Sequence, residues 1–181
     1  MQDTGIVRRI DELGRVVIPK ELRKTLRIRE GDPLEIYTNK DELIFKKYSP
    51  ISAINSYVEA VADGIEEVTE KTCMITDNDT VLYVSGKNKE VIGKDISSDL
   101  EKVLKERKSL VLSRSESGNL VSIIKGEEII AENQIIVPIV SVSGDCYGSV
   151  LVIDNDKNVK FSSADVRFAK LGASFLSKQF D

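Results

Sequence analysis

The first fifty residues place the tightest limit on how this chain can fold. They hold four short β-branched or alternating runs and one helical segment, with no cysteine and no histidine. Gly5-Ile6-Val7-Arg8-Arg9-Ile10 reads as a strand and Asp11-Glu12-Leu13-Gly14 as a turn, where Gly14 supplies a permissive backbone. Arg15-Val16-Val17-Ile18 reads as a second strand. Pro19 stops it and suits the first turn of a helix over residues 20–27, where Leu22 and Leu26 share one face. Gly31-Asp32-Pro33 turns the chain. Leu34-Glu35-Ile36-Tyr37 and the run 43–48 are two further strands about a turn at residues 39–41. Elements this few and this short make a poor core alone, and such units need a staple. No cysteine or metal set is available here, so the staple is a second copy. The head is expected to be an obligate dimer in which strands of two chains share one core.

Charge separates this head from the rest. Residues 1–29 carry eight cations (Arg8, Arg9, Arg15, Lys20, Arg23, Lys24, Arg27, Arg29) against four anions (Asp3, Asp11, Glu12, Glu21), a balance of +4. The whole chain is −4, which leaves −8 for residues 30–181. A cationic head on an anionic body suggests a head that touches a polyanion and a body with another task. Charge alone is equally consistent with a solvated surface.

Beyond Ser49-Pro50 the pattern changes. Ile51, Ile54, Val58, Val61, Ile65 and Val68 are spaced 3, 4, 3, 4 and 3, an apolar seam of nearly three heptads. Glu59, Asp63, Glu66, Glu67 and Glu70 lie off it. The expectation is an inter-chain coiled coil over residues 51–71; the alternative is one amphipathic helix packed on its own body. From Thr72 onward strands are expected at 73–76, 80–84, 110–112, 121–124, 134–140 and 147–153, with a hairpin turn at Ser143-Gly144-Asp145. A helix is expected at 97–107. Ser162 and Ser163 cap a last helix whose seam is Val166, Ala169, Leu171, Phe175 and Leu176. Helices flanking a largely antiparallel sheet argue an α+β body over residues 72–181.

Several functions are made improbable by what is missing. The chain has no histidine, which removes His-based triads, His–metal sites and His general bases. Cys73 and Cys146 are lone cysteines in apolar surroundings and read as reduced core residues. No apolar run approaches the ~20 residues that span a bilayer, and Met1 is not followed by a signal pattern, so the expected setting is cytoplasmic, without membrane contact. Asp77-Asn78-Asp79 and Asp154-Asn155-Asp156 lack the downstream Gly and Glu of a calcium loop and read as Asx turns. Ser85-Gly86-Lys87 lacks the earlier glycine of a phosphate loop. No catalytic residue, metal or cofactor is expected, and the chain is read as a non-enzyme.

The run Thr4-Gly5-Ile6-Val7-Arg8, Asp11-Glu12-Leu13-Gly14-Arg15-Val16-Val17-Ile18-Pro19 and Glu21-Leu22-Arg23 resembles the AbrB-type swapped-hairpin DNA-binding domain of bacterial transition-state regulators. The likeness continues through Arg29-Glu30-Gly31-Asp32-Pro33-Leu34-Glu35-Ile36 and Lys46-Lys47-Tyr48-Ser49-Pro50-Ile51-Ser52. Val137-Pro138-Ile139-Val140, the Gly144 hairpin and Gly148-Ser149-Val150-Leu151-Val152-Ile153 resemble a GAF-like domain. This resemblance implies a spore-former's transcription regulator. Its head, residues 1–50, is a swapped-hairpin β-barrel dimer that binds double-stranded DNA. Arg8, Arg15, Arg23 and Lys24 match the positions that face DNA. Lys24 departs from an arginine common in the family, keeping charge but losing the planar fork.

The resulting expectation is a homo-oligomer, dimeric at the head and tetrameric as a whole, joined through Ile51, Ile54, Val58, Val61, Ile65 and Val68. The GAF-like body either binds an unidentified small molecule or only holds the assembly together. The head fold also occurs in antitoxins, which makes an antitoxin-like interaction module the alternative.

Overall fold

A computed structural model describes residues 5–128 and 131–180; Thr4 of the motif lies outside them. The chain divides into two compact units after Tyr48. In the first, α1 (Lys20–Thr25) follows Pro19, with Glu21 in its first turn and Arg23 and Lys24 in its last, the order a helix dipole favours. β1 (Leu34–Asn39) and β2 (Glu42–Lys47) form an antiparallel hairpin that sets Ile36 opposite Phe45 and Thr38 opposite Leu43. Strand alternation gathers Ile36, Leu43 and Phe45 on one face, and all three are exposed.

Two expected strands do not form. Residues 5–10 and 15–18 have no strand pairing, and Val7, Ile10 and Val17 are 84, 69 and 72% exposed. A strand needs a neighbour to take its N–H and C=O groups, and none is supplied by the described residues of this unit. The sheet here is two-stranded and open. The expected barrel is one that two chains share, and a single chain supplies only this open hairpin of it.

The second unit is built on a five-stranded antiparallel sheet in the order β4-β3-β7-β6-β5, made of β3 (Thr72–Thr76), β4 (Val81–Ser85), β5 (Leu110–Ser113), β6 (Asn133–Val140) and β7 (Cys146–Asp154). One face packs on α2 (Asn55–Thr69) and α5 (Ser163–Ser177) through Cys73, Ile75, Ile135, Val137, Ile139, Val150 and Val152. The other packs on α3 (Ser98–Glu106) and loops through Met74, Ile136, Leu151 and Ile153. With both faces covered, β6 and β7 read as continuous apolar runs instead of alternating ones. The mixed α+β architecture is as expected.

The helix expected at 51–71 lies within this second unit. It begins as a 3-10 turn (Pro50–Ile54) and continues as α2. Residues 121–124, expected as a strand, show only isolated bridges at Ile124. Their place in the sheet is taken by one side chain: the Gln134 amide accepts the Val121 N–H at 3.0 Å and donates to the Val121 carbonyl at 2.9 Å. At the β5 edge, α4 (Arg114–Ser117) folds back. The Ser117 hydroxyl accepts the Ser113 N–H at 3.2 Å and donates to the Ser113 carbonyl at 2.6 Å.

α5 opens with a capping box, Ser162 and Asp165 each bonding the other's main-chain N–H. Asp165 also meets Lys71 at 3.4 Å, where both side chains are largely buried. Burial raises the Asp165 pKa, but hydrogen bonds from the Ser162 main chain and hydroxyl, together with the Lys71 ammonium, outweigh it and hold the carboxyl below its ordinary 3.8. Its contribution to stability is therefore complete above that value and disappears as pH falls through the lower folded one. Asp165→Asn is expected to cost about 2 kcal/mol at neutral pH. The gap from the parent should close as pH drops below 3.8, measured by urea unfolding at stepped pH.

Candidate nucleic-acid interface

The basic set is built around a tight turn. The Asp11 N–H donates to the Arg15 carbonyl, and the Gly14 N–H to the Asp11 carbonyl, each at 3.0 Å. Gly14 makes this possible at φ +74°, a region that side chains with a Cβ avoid. The Asp11 carboxylate completes the closure. Its Oδ1 accepts the N–H groups of Leu13 (3.0 Å) and Arg15 (2.8 Å), and its Oδ2 accepts Arg15 Nε at 2.7 Å. The Arg15 main-chain N–H and then its guanidinium hold the Asp11 carboxyl below the usual aspartate range.

All four residues matched to DNA contact are exposed. Arg8 lies on the strand-like segment entering the turn, with Nη1 on the Val7 carbonyl at 3.2 Å. Arg15 leaves the turn with its side chain 70% accessible. Arg23 and Lys24 project from the last turn of α1, whose carbonyls bond the N–H groups of Ile28 and Arg27. Among the described residues no carboxylate reaches Arg8, Arg23 or Lys24 within ion-pair distance. Arg27 differs: it is half-buried, takes φ +52° and accepts Lys47 Nζ on its carbonyl at 3.1 Å. Lys47 is also 3.5 Å from Asp32, so this corner stitches the helix end to the hairpin.

The six-residue seam is placed differently from an open inter-chain surface. Ile51, Val58 and Ile65 are buried in the body's own core, and Ile54 and Val61 are half-buried against it. Only Val68 is exposed. A side chain enclosed by its own domain has no surface left for a second helix, which corrects the coiled-coil expectation in favour of packing on the body. On α5 the buried row is Ala169, Gly172, Ala173 and Leu176, while Leu171 and Phe175, expected in the core, are exposed. Phe175 meets Tyr57 edge-on with ring centres 5.9 Å apart. The outer face of this helix pair thus carries Tyr57, Leu171 and Phe175. Spacing alone hid this, because 171 and 175 fall one position off the true seam.

In the body, Asp77 Oδ1 accepts the N–H groups of Asp79 and Thr80, and Asp154 Oδ1 that of Asp156, so both acidic runs are Asx turns. Among the described residues no group of three His, Cys, Asp or Glu could hold a metal ion. No described helix is long and apolar enough to cross a membrane. Two open grooves of about 540 and 470 Å³ lie among polar loops, the first lined by Lys71, Lys87 and Asp154 and the second by Arg114, Glu127 and Gln134.

The chain superposes on the GAF domain from Acinetobacter phosphoenolpyruvate-protein phosphotransferase with a TM-score of 0.56 at 16% identity, covering 89% of this chain and 93% of that one, a likeness of fold alone. The head is 64% identical over 50 residues to transition state regulatory protein AbrB of Bacillus subtilis (strain 168), which spans 28% of this chain and 52% of that protein. The class so defined is an AbrB-type head followed by a GAF-like body. Residues 53–181 match the family described as stage V sporulation protein T C-terminal, transcription factor, and residues 7–52 match the antidote-toxin recognition MazE family of bacterial antitoxins. The whole chain is 40% identical to stage V sporulation protein T of Bacillus subtilis (strain 168), across 99% of that protein. The chain belongs to the stage V sporulation protein T family of transcription factors.

Proposed function

We propose that this transcription factor binds double-stranded DNA through Arg8, Arg15, Arg23 and Lys24 of a dimeric head, and that its body holds two such dimers together. The observation that carries the reading is the set of four exposed cations on a unit whose apolar strand faces are left uncovered. A second head laid against those faces gives residues 5–10 and 15–18 their missing neighbours and doubles the basic surface. The cations neutralise phosphates and release counterions, which makes the affinity steeply salt-dependent. Few of these side chains are suited to reading base edges, so DNA shape and deformability carry much of the selectivity.

Association of the bodies is supported by the outer face of α2 and α5. There Tyr57, Leu171 and Phe175 are exposed, with the cations Arg167 and Lys170 exposed on α5 beside them. A two-fold-related copy brings apolar strip to apolar strip. Two DNA contacts joined in this way act by avidity. The reading makes the chain a regulator, not a catalyst, working in the cytoplasm.

The test is a DNA titration across a salt series with the parent and an Arg8→Ala/Arg15→Ala/Arg23→Ala variant, both checked for fold and oligomeric state. Four cations per chain in a dimer allow a log–log slope approaching about −7, and the variant should retain about −2. Weak, salt-insensitive binding equal in both proteins would overturn the reading. The match of residues 7–52 to an antitoxin family favours one alternative, a toxin-neutralising module. The folded body following this head speaks against it, and failure to capture any toxin would close it.

A further inference from the structure

We infer that Asp11 is a positioning residue for DNA recognition, clamping the guanidinium of Arg15 so that only its outer edge is offered to the nucleic acid. The inference rests on the proposal that Arg15 contacts DNA, and goes beyond it by naming an anion as part of a polyanion-binding surface.

An anion there is unexpected, since a carboxylate beside a DNA contact repels phosphate. The geometry shows what it does instead. Oδ1 takes the main-chain N–H groups of Leu13 and Arg15, and so locks the backbone from which Arg15 departs. Oδ2 takes Nε of the same arginine at 2.7 Å. Nε is the inner donor of the guanidinium, and engaging it fixes the plane of the fork about the side-chain axis. The two Nη groups remain, and one N–H of each forms the outer edge. Among the described residues they meet no acceptor, and the side chain is 70% accessible. A paired acceptor, either two phosphate oxygens or guanine O6 and N7, matches that edge bidentately. An unclamped arginine loses rotamer freedom on binding, whereas a clamped one has lost it already. The depressed Asp11 pKa fits a carboxylate that stays ionised to hold this bond.

The test is a double-mutant cycle with full-length protein and a duplex enriched by the parent from a random pool. Asp11→Asn keeps an oxygen for the two main-chain N–H groups, so the turn is retained, but it removes the charge that grips Nε. Fold and oligomeric state are verified for every variant. Simple charge removal raises DNA affinity. The clamp predicts the opposite in the parent background, a loss of about tenfold. In the Arg15→Ala background the same change gives a modest gain. A change of equal size and sign in both backgrounds would overturn the clamp while leaving Arg15 as a contact. If Arg15→Ala itself leaves affinity unchanged, the contact reading falls and the clamp falls with it. Repeating the cycle on a scrambled duplex distinguishes the acceptors: coupling confined to the enriched duplex marks a base edge, and equal coupling on both marks phosphate.

Discussion

Replacing Ile36 by aspartate is expected to abolish DNA binding, with at least a hundredfold loss of affinity, while the body continues to unfold cooperatively. Ile36 is 62% exposed in the single chain and shares a face with the exposed Phe45 and Leu43. If that face were simply solvated, an aspartate there would cost almost nothing. If it is the core shared by two heads, two carboxylates must be buried for every dimer, each at a cost of several kcal/mol. The head then fails to assemble, and the DNA-facing residues lose the frame that arranges them. DNA titration paired with sedimentation of residues 1–50 reads this directly. A variant that dimerises and binds like the parent would place the head's core elsewhere.

The second large effect concerns the body. Gly148 of β7 sits at φ +150°, and a Cβ on it would lie 1.9 Å from the Thr76 carbonyl oxygen and 2.8 Å from the Asp77 Cα. Both obstacles are main chain, at and just past the end of β3, which pairs with β7, so neither can swing aside. Next to it the hydroxyls of Thr76 and Ser149 share a buried hydrogen bond of 2.8 Å, which ties the same two strands. Gly148→Ala is expected to cost about 4 kcal/mol or more, enough to leave much of the body unfolded. Gly64 provides the contrast. It is exposed in α2 with nothing within 4 Å of a built Cβ, and Gly64→Ala should stabilise by about 0.5–1 kcal/mol. Urea unfolding of both variants measures the pair; equal midpoints would overturn the steric account.

What could be read from the chain alone depended on where each residue finds its neighbour. The strands at 133–140 and 146–154 were legible because their apolar runs are long and bounded by a glycine hairpin. The helix over 51–71 was equally plain from its spacing, but spacing reports a stripe and not what covers it. Burial of Ile51, Val58 and Ile65 in their own domain is a tertiary fact. Val121 to Ile124 looked like a strand by composition, and the Gln134 amide does the work of the missing partner, which no periodicity announces. Asp11 was recognisable as a turn former only. Its second carboxylate oxygen, and the arginine that oxygen holds, became visible with side chains in place.

The folded-back turn at the β5 edge has a consequence for assembly. If copies of this chain join, as proposed, the joining must also stop. Strands left open at a sheet margin invite addition without limit, because each newcomer presents the same margin again. Here one hydroxyl, that of Ser117, occupies both the donor and the acceptor of Ser113. Those two groups are closed to a further strand at the last residue of that edge.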